Sequence, residues 1–219
     1  MAESFKDADG RVVVDRLIAT IHENRVYLSE IDGAIGDGDH GINMDKGFTM
    51  VEKELAARTE AGESPGMSEA LKTLGRTLVD EIGGSMGPLY GTFFKRMARA
   101  SKDAEIIDSA VLEAMIRGAY EGIQNLGDAK VGDKTLVDTL DPAVAALRSA
   151  REAGAGFHES IDAMIGAAEE GWKSTKDLVA KIGRASRLGE RSRGTVDAGA
   201  TSCYLMLKSI GETMKELAS

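Results

Sequence analysis

The chain has 219 residues, 42% of them apolar and 29% charged, and its 27 basic against 36 acidic side chains leave a formal net charge of −9. That length predicts one domain, the composition is that of a soluble globular protein, and no stretch offers the ~18 uninterrupted apolar residues of a membrane span. The acidic balance argues against nonspecific binding to nucleic acid or anionic lipid, the single Cys203 excludes an internal disulfide or a cysteine metal cluster, and the acid-bearing start lacks an apolar leader, so the cytoplasm is the expected compartment.

From the N-terminus, Val13, Leu17, Ile21, Leu28 and Ile31 recur at helical spacing. The same period runs on through the chain, while alternating strand-like runs are scarce. The expectation is all-α, with helices near 10–31, 43–60, 67–82, 86–101, 107–126, 134–153, 157–182 and 199–217. Pro142 lies inside the sixth and is expected to bend it or to mark a later start, because proline lacks the amide donor. Glycine gathers in the joints at 32–41, 83–88, 127–132 and 183–199. If alternate helix ends meet, these joints share one rim of a bundle, where helix N-termini favour phosphate.

The first joint sets Asp32, Asp37 and Asp39 among glycines directly after an apolar helical segment. Two unit charges 4 Å apart interact by roughly 4 kcal/mol at an effective dielectric of about 20, so three converging carboxylates call for a countercharge. Oxygen ligands select a hard ion such as Mg²⁺, which is commonly shared with substrate phosphates. A plain solvated turn is the competing reading, since Asp and Gly are ordinary turn residues. An EF-hand is excluded, because counting from Asp37 puts Gly41 fifth and Phe48 twelfth.

The second joint, Gly83-Gly84-Ser85-Met86-Gly87-Pro88-Leu89-Tyr90-Gly91, could cradle a diphosphate or could simply let helices pack closely; it lacks the lysine ending of a P-loop. The last joint carries Arg184, Arg187, Arg191 and Arg193 in a glycine-rich stretch that reads as nonhelical. Arginine forks match phosphate oxygens, but such a run also reads as solvated surface or as a dock for an acidic partner. Of His22, His40 and His158, only His40 lies in such a loop, and nothing resembles a Ser-His-Asp or Cys-His set.

Taken together, Asp32-(x)₄-Asp37-Gly-Asp39-His40-Gly41-x-Asn43, the Gly83–Gly91 loop, Gly132-Asp133-Lys134-Thr135 and Gly183-Arg184-Ala185-Ser186-x-Leu188-Gly189-Glu190-Arg191-Ser192 closely resemble the nucleotide-binding L subunit of dihydroxyacetone kinases, over nearly the whole chain. The resemblance implies a closed barrel of eight antiparallel helices with the nucleotide at one end. It implies that Asp32, Asp37 and Asp39 coordinate two Mg²⁺ ions. His40, Gly41, Ile42 and Asn43 would contact an ADP or ATP, Ser85 and Met86 would lie on its phosphates, and Gly127 and Leu136 would flank the adenine. Arg184 would reach the phosphates as the catalytic residue, and Asp197, Ala198 and Gly199 would complete the base and ribose pocket.

Met86 stands where the family usually offers a serine. The family's Gly-His-x-Asp-Pro-Gly reads Gly194-Thr195-Val196-Asp197-Ala198-Gly199 here. By resemblance, the ketose is held covalently by a histidine on a separate K subunit, and the chain acts only with that partner. A free-standing chain of this size resembles members that keep ADP as a cofactor, rephosphorylated by the M subunit of a phosphotransferase system. An ATP-dependent kinase for dihydroxyacetone or a four-carbon ketose stays open, as do a noncatalytic helical binding module and the state of assembly, a homodimer included.

Overall fold

The computed structural model describes residues 3–218. Eight α-helices make up most of it: α1 (Arg11–Ile35), α2 (His40–Glu60), α3 (Met67–Glu81), α4 (Met86–Ser101), α5 (Ser109–Gln124), α6 (Val137–Glu152), α7 (Phe157–Ser174) and α8 (Ala198–Leu217). Each helix packs against the next in sequence, and α8 packs back onto α1, so the ring closes as an antiparallel barrel. Helix-period stripes such as Met67, Ala70, Leu71, Leu74 and Leu78 of α3 face inward. At the centre Phe48, Phe93 and Phe94 are fully buried, with ring centroids 6.1 and 5.1 Å apart in edge-to-face pairs.

Several boundaries differ from those expected. The first helix runs four residues past 31, because Ile35 extends the stripe of Leu28 and Ile31 into the core. Asp32 therefore stands on a helix rather than in a loop. The second begins at His40 rather than 43, and the sixth at Val137 rather than 134, since Lys134 has a positive φ of 64° that no right-handed helix accepts. Pro142 stays inside α6, leaving the Asp138 carbonyl without its usual amide donor; Gly171 of α7 packs so close to that oxygen that a Cβ there would overlap it.

The largest correction is at α7, which ends at Ser174 and not near 182. Leu178, Val179 and Ile182 imitate a helical period, but Leu178 is already extended (φ −86°, ψ 153°). The Ala180 amide donates to Ser192 Oγ (2.9 Å) and the Lys181 amide to the Asp133 carbonyl (3.1 Å), so tertiary partners replace the helix ladder. The arginine stretch expected to be nonhelical folds into 3₁₀ turns over Arg184–Ser192, kinked at Gly189 (φ 54°).

The two rims are built differently. At one, the short strand β1 (Phe5–Lys6) pairs antiparallel with β2 (Ile106–Ile107), two residues apiece that the all-α reading does not anticipate. There Asp7 Oδ1 accepts the Ser68 amide of α3 (2.9 Å), Asp108 accepts two amides of α5, and Glu3 accepts the His158 amide of α7 (3.0 Å). Acids thus close the N-termini of α3, α5 and α7 at that rim. At the opposite rim lie the four glycine-rich joints and the N-termini of α2, α4, α6 and α8. Of these, only α8 has a side-chain cap from its own N-cap residue.

Candidate functional site

The glycine-rich rim is where sequence-distant charges meet. Asp32 occupies the last turn of α1, while Asp37 and Asp39 sit in the four-residue link to α2; one carboxylate oxygen from each lies within 4.8 Å of the others. Gly36 makes this possible, because a Cβ there would stand 2.5 Å from Asp32 Oδ1, and Gly38 takes the left-handed turn (φ 76°) that reverses the chain. The Arg184 guanidinium lies against Asp37 and 3.8 Å from Asp39. Three hard oxygen donors, two of them already against a cation, form a donor set that suits divalent magnesium, so the residues fit the ions the family implies.

Beside the carboxylates, α2 begins. The His40 amide donates to Asp32 Oδ2 (3.3 Å), tying the helix start to the acidic cluster. Gly41 is buried against α1, Ile42 is 59% exposed on the rim, and Asn43 is partly buried. The His40 ring is buried, with Nε2 2.8 Å from Ser202 Oγ, which lies 2.6 Å from the Tyr90 hydroxyl; Tyr90 in turn donates to the Gly199 carbonyl (3.0 Å). This chain links the starts of α2, α4 and α8 through groups 109 and 162 residues apart in sequence. Tyr90 and Ser202 were absent from the expected site, although Ser202 follows Ala198 by one helical turn.

Burial lowers His40 from 6.5 to about 4, opposed by the Asp32 carboxylate. The unfolded chain therefore takes up this proton first, and the histidine's contribution to stability is full above about 6.5 and lost as pH falls through about 4. The stability gap between wild type and His40→Gln should shrink by up to about 3 kcal/mol from pH 7 to pH 4, as read by chemical denaturation. Comparing the two proteins cancels the opposite contribution of Asp197, which desolvation pushes up to about 6 against the Ala200 amide and the Lys134 ammonium.

Other expected residues are placed more variously. Ser85 is exposed just before α4, with no cap bond from its hydroxyl, whereas Met86 packs partly on the core. Asp197 caps α8, accepting the Ala200 amide at 2.7 Å, and Ala198 is buried. Leu136 is 6% exposed and backs Gly199, and Gly127 stands in open space in the α5–α6 link. No described contact joins Gly127 to the acidic cluster.

Lys134 is the residue whose role the motif concealed. Its side chain is 1% exposed, and its ammonium donates to the carbonyls of Thr175 (2.7 Å), Leu178 (3.3 Å) and Thr195 (2.5 Å). These clamp both ends of the segment that carries Arg184. Asp138 holds the other side, accepting the Gly132 and Thr135 amides at 2.5 and 2.7 Å. Lys134→Met should leave three carbonyls short of a donor and cost about 3 kcal/mol in denaturant-measured stability, given ~1–3 kcal/mol per buried group left unpaired and partial rescue by water.

The fold defines a class, the closed antiparallel eight-helix barrel, and the comparisons narrow it. The DAK2 domain family matches residues 34–212. The chain is 40% identical over 193 residues to "PEP-dependent dihydroxyacetone kinase 1, ADP-binding subunit DhaL" of Listeria innocua, covering 88% of this chain and 89% of that one. It is 38% identical over 190 residues to the corresponding ADP-binding subunit of Escherichia coli, covering 87% and 89%. The crystal structure of the dihydroxyacetone kinase from C. freundii in complex with AMP-PNP and Mg²⁺ superposes with a TM-score of 0.66 at 23% identity. The match covers 97% of this chain and 35% of that kinase, and speaks to the fold. This chain belongs to the family of dihydroxyacetone kinase L subunits, built on the DAK2 domain. Among the described residues, no helix is long and apolar enough to cross a membrane.

Proposed function

We propose that the chain is the nucleotide-binding phosphotransferase subunit of a cytoplasmic dihydroxyacetone kinase. It would carry ADP as a cofactor and pass a phosphoryl group to a ketose held on a separate K subunit. The observation that carries this reading is the convergence on one rim of Asp32, Asp37, Asp39, Arg184 and the N-termini of α2 and α4, neither of which is capped by its own N-cap side chain. The names of the 40% and 38% identical relatives, both ADP-binding subunits of PEP-dependent kinases, support it. So does a third relative at 36% identity, described as PTS-dependent, which favours a phosphoryl donor from a phosphotransferase-system M subunit.

Phosphoryl transfer asks a protein for positioning and charge neutralisation rather than covalent chemistry. Asp32, Asp37 and Asp39 would hold two Mg²⁺ ions, which supply charge neutralisation at the phosphate oxygens. Within the α2 start at His40–Asn43, where the His40 amide is held by Asp32 and the Asn43 amide by the Asp39 carbonyl, Gly41 and Ile42 would offer backbone amides to the phosphates, as would Ser85 and Met86 at the α4 start. Met86 withholds the hydroxyl that a serine would give, so at that position the amide is the donor. Arg184 brings a guanidinium to the same place, on a segment framed by left-handed Gly183 and Gly189. Its fork can engage two oxygens of a transferring phosphoryl group, the catalytic part we assign to it. Leu136, Gly127, Asp197, Ala198 and Gly199 would form the base and ribose side.

The purified chain, given Mg·ATP and dihydroxyacetone, should bind nucleotide without ketose turnover, and adding the K subunit should restore turnover. Turnover by the chain alone would overturn the proposal. Slow nucleotide release in a stopped-flow displacement experiment is the expected mark of a cofactor; fast exchange would instead mark ATP as a substrate.

A further inference from the structure

We propose that the cleft between α4 and α5 is a second anion site, for a small phosphate-bearing ligand distinct from the nucleotide. Thr92, Lys95, Arg96 and Arg99 lie at positions i, i+3, i+4 and i+7 of α4, which puts them on one face. With Gly122, Asn125 and Leu126 they line a cleft of about 400 Å³, the size of a small-molecule site. Gly122 lets the α4 side chains lie close against α5. A Cβ there would stand 2.8 Å from Arg96 Cγ and 2.9 Å from Thr92 Cγ2, so only glycine lets the arginine stem lie across α5.

The charge pattern points to the ligand. Among the described residues, Lys95, Arg96 and Arg99 show no ion pair with an acid, a state they share with Arg117, Arg187 and Arg191; what sets them apart is that all three fall within five residues on one face of one helix. In a chain with a net charge of −9, three unpaired cations within five residues repel one another and cost helix stability. Two arginines, a lysine, a threonine and an asparagine thus line one concavity that has no carboxylate in its lining. That lining suits a compact, multiply charged oxyanion, since arginine forks match phosphate oxygens two at a time. An extended acidic peptide would need cations spaced along its length, and these are clustered.

The test is a titration of the full chain, saturated with Mg·ADP to fill the rim, by inorganic phosphate, pyrophosphate or glycerol 3-phosphate at constant ionic strength. Amide resonances of Gly122 and Asn125 and the Nε–H signals of Arg96 and Arg99 should shift and saturate. Arg96→Gln with Arg99→Gln should weaken that binding at least tenfold, with an unchanged circular dichroism spectrum and unchanged ADP affinity. Tighter binding of glycerol 3-phosphate identifies an ester ligand, and tighter binding of phosphate or pyrophosphate identifies the free anion. Shifts that never saturate, or that survive the double substitution, overturn the proposal. So does a double variant that loses association with the K subunit while wild type shows no anion binding, which would make the face a protein dock. Failure of ADP to bind would strike the rim reading alone.

Discussion

Asp37→Ala is expected to lower magnesium-dependent ADP affinity by roughly 100-fold, about 3 kcal/mol, with little change in the melting temperature of the ligand-free protein. The two expectations arise from one geometry. Asp37 brings its carboxylate within 4.8 Å of those of Asp32 and Asp39, so its loss removes a donor that the others cannot replace from the ends of their own segments. In the ligand-free chain its partner is Arg184, but both side chains are largely solvated, at 43% and 61% exposure. Exposed ion pairs contribute little to folding, and removing one carboxylate also relieves repulsion among the three. Isothermal calorimetry with and without Mg²⁺ on both proteins reads the outcome. Equal binding by wild type and variant in magnesium would remove the carboxylates from the site.

The second large effect is expected from a single methyl group. Gly41 is the second residue of α2, and a Cβ there would run into the Arg25 carbonyl oxygen and stand 2.7 Å from Ser29 Oγ and 2.9 Å from the Ser29 amide. No rotamer relieves a collision with backbone, so Gly41→Ala must push α2 off α1. Overpacking of this kind costs about 3 kcal/mol, which in a chain of this length corresponds to a fall in melting temperature of roughly 10 °C. The same displacement would pull His40 from Ser202 and from Asp32, so ADP affinity should fall as well. Gly127→Ala is the control, since no atom lies within 4 Å of its added Cβ. It should change stability by less than about 0.5 kcal/mol. A Gly41→Ala protein as stable as wild type would mean that the two helices do not meet so closely.

Much of this architecture is written locally. Helical spacing of Val13, Leu17 and Ile21, and of Leu71, Leu74 and Leu78, is a short-range signal, so the number of helices and their rough positions follow from the chain alone. The clustering of Asp32, Asp37 and Asp39 is equally local. They lie seven residues apart at most, and the glycines between them force a turn. Alternation of helix ends gave the expectation that the glycine-rich joints share one rim, and four motifs in family order carried the rest of the reading.

What the sequence could not show is set by distance. The apolar run after Ser174 has a helix-like period, yet Lys134 takes the carbonyls of Thr175 and Leu178, and Ser192 takes the Ala180 amide, so the segment leaves the helix. The strand pair of Phe5–Lys6 with Ile106–Ile107 is too short to leave a pattern. The contact of Arg184 with Asp37, the Tyr90–Ser202–His40 chain and the close approach of α4 to α5 at Gly122 all join residues from different helices or links. The sequence by itself determined helix, turn and charge, because those depend on neighbours within a few residues. Only closure of the barrel decided which charges meet and which stay unpaired, because that depends on which faces the helices bury against one another.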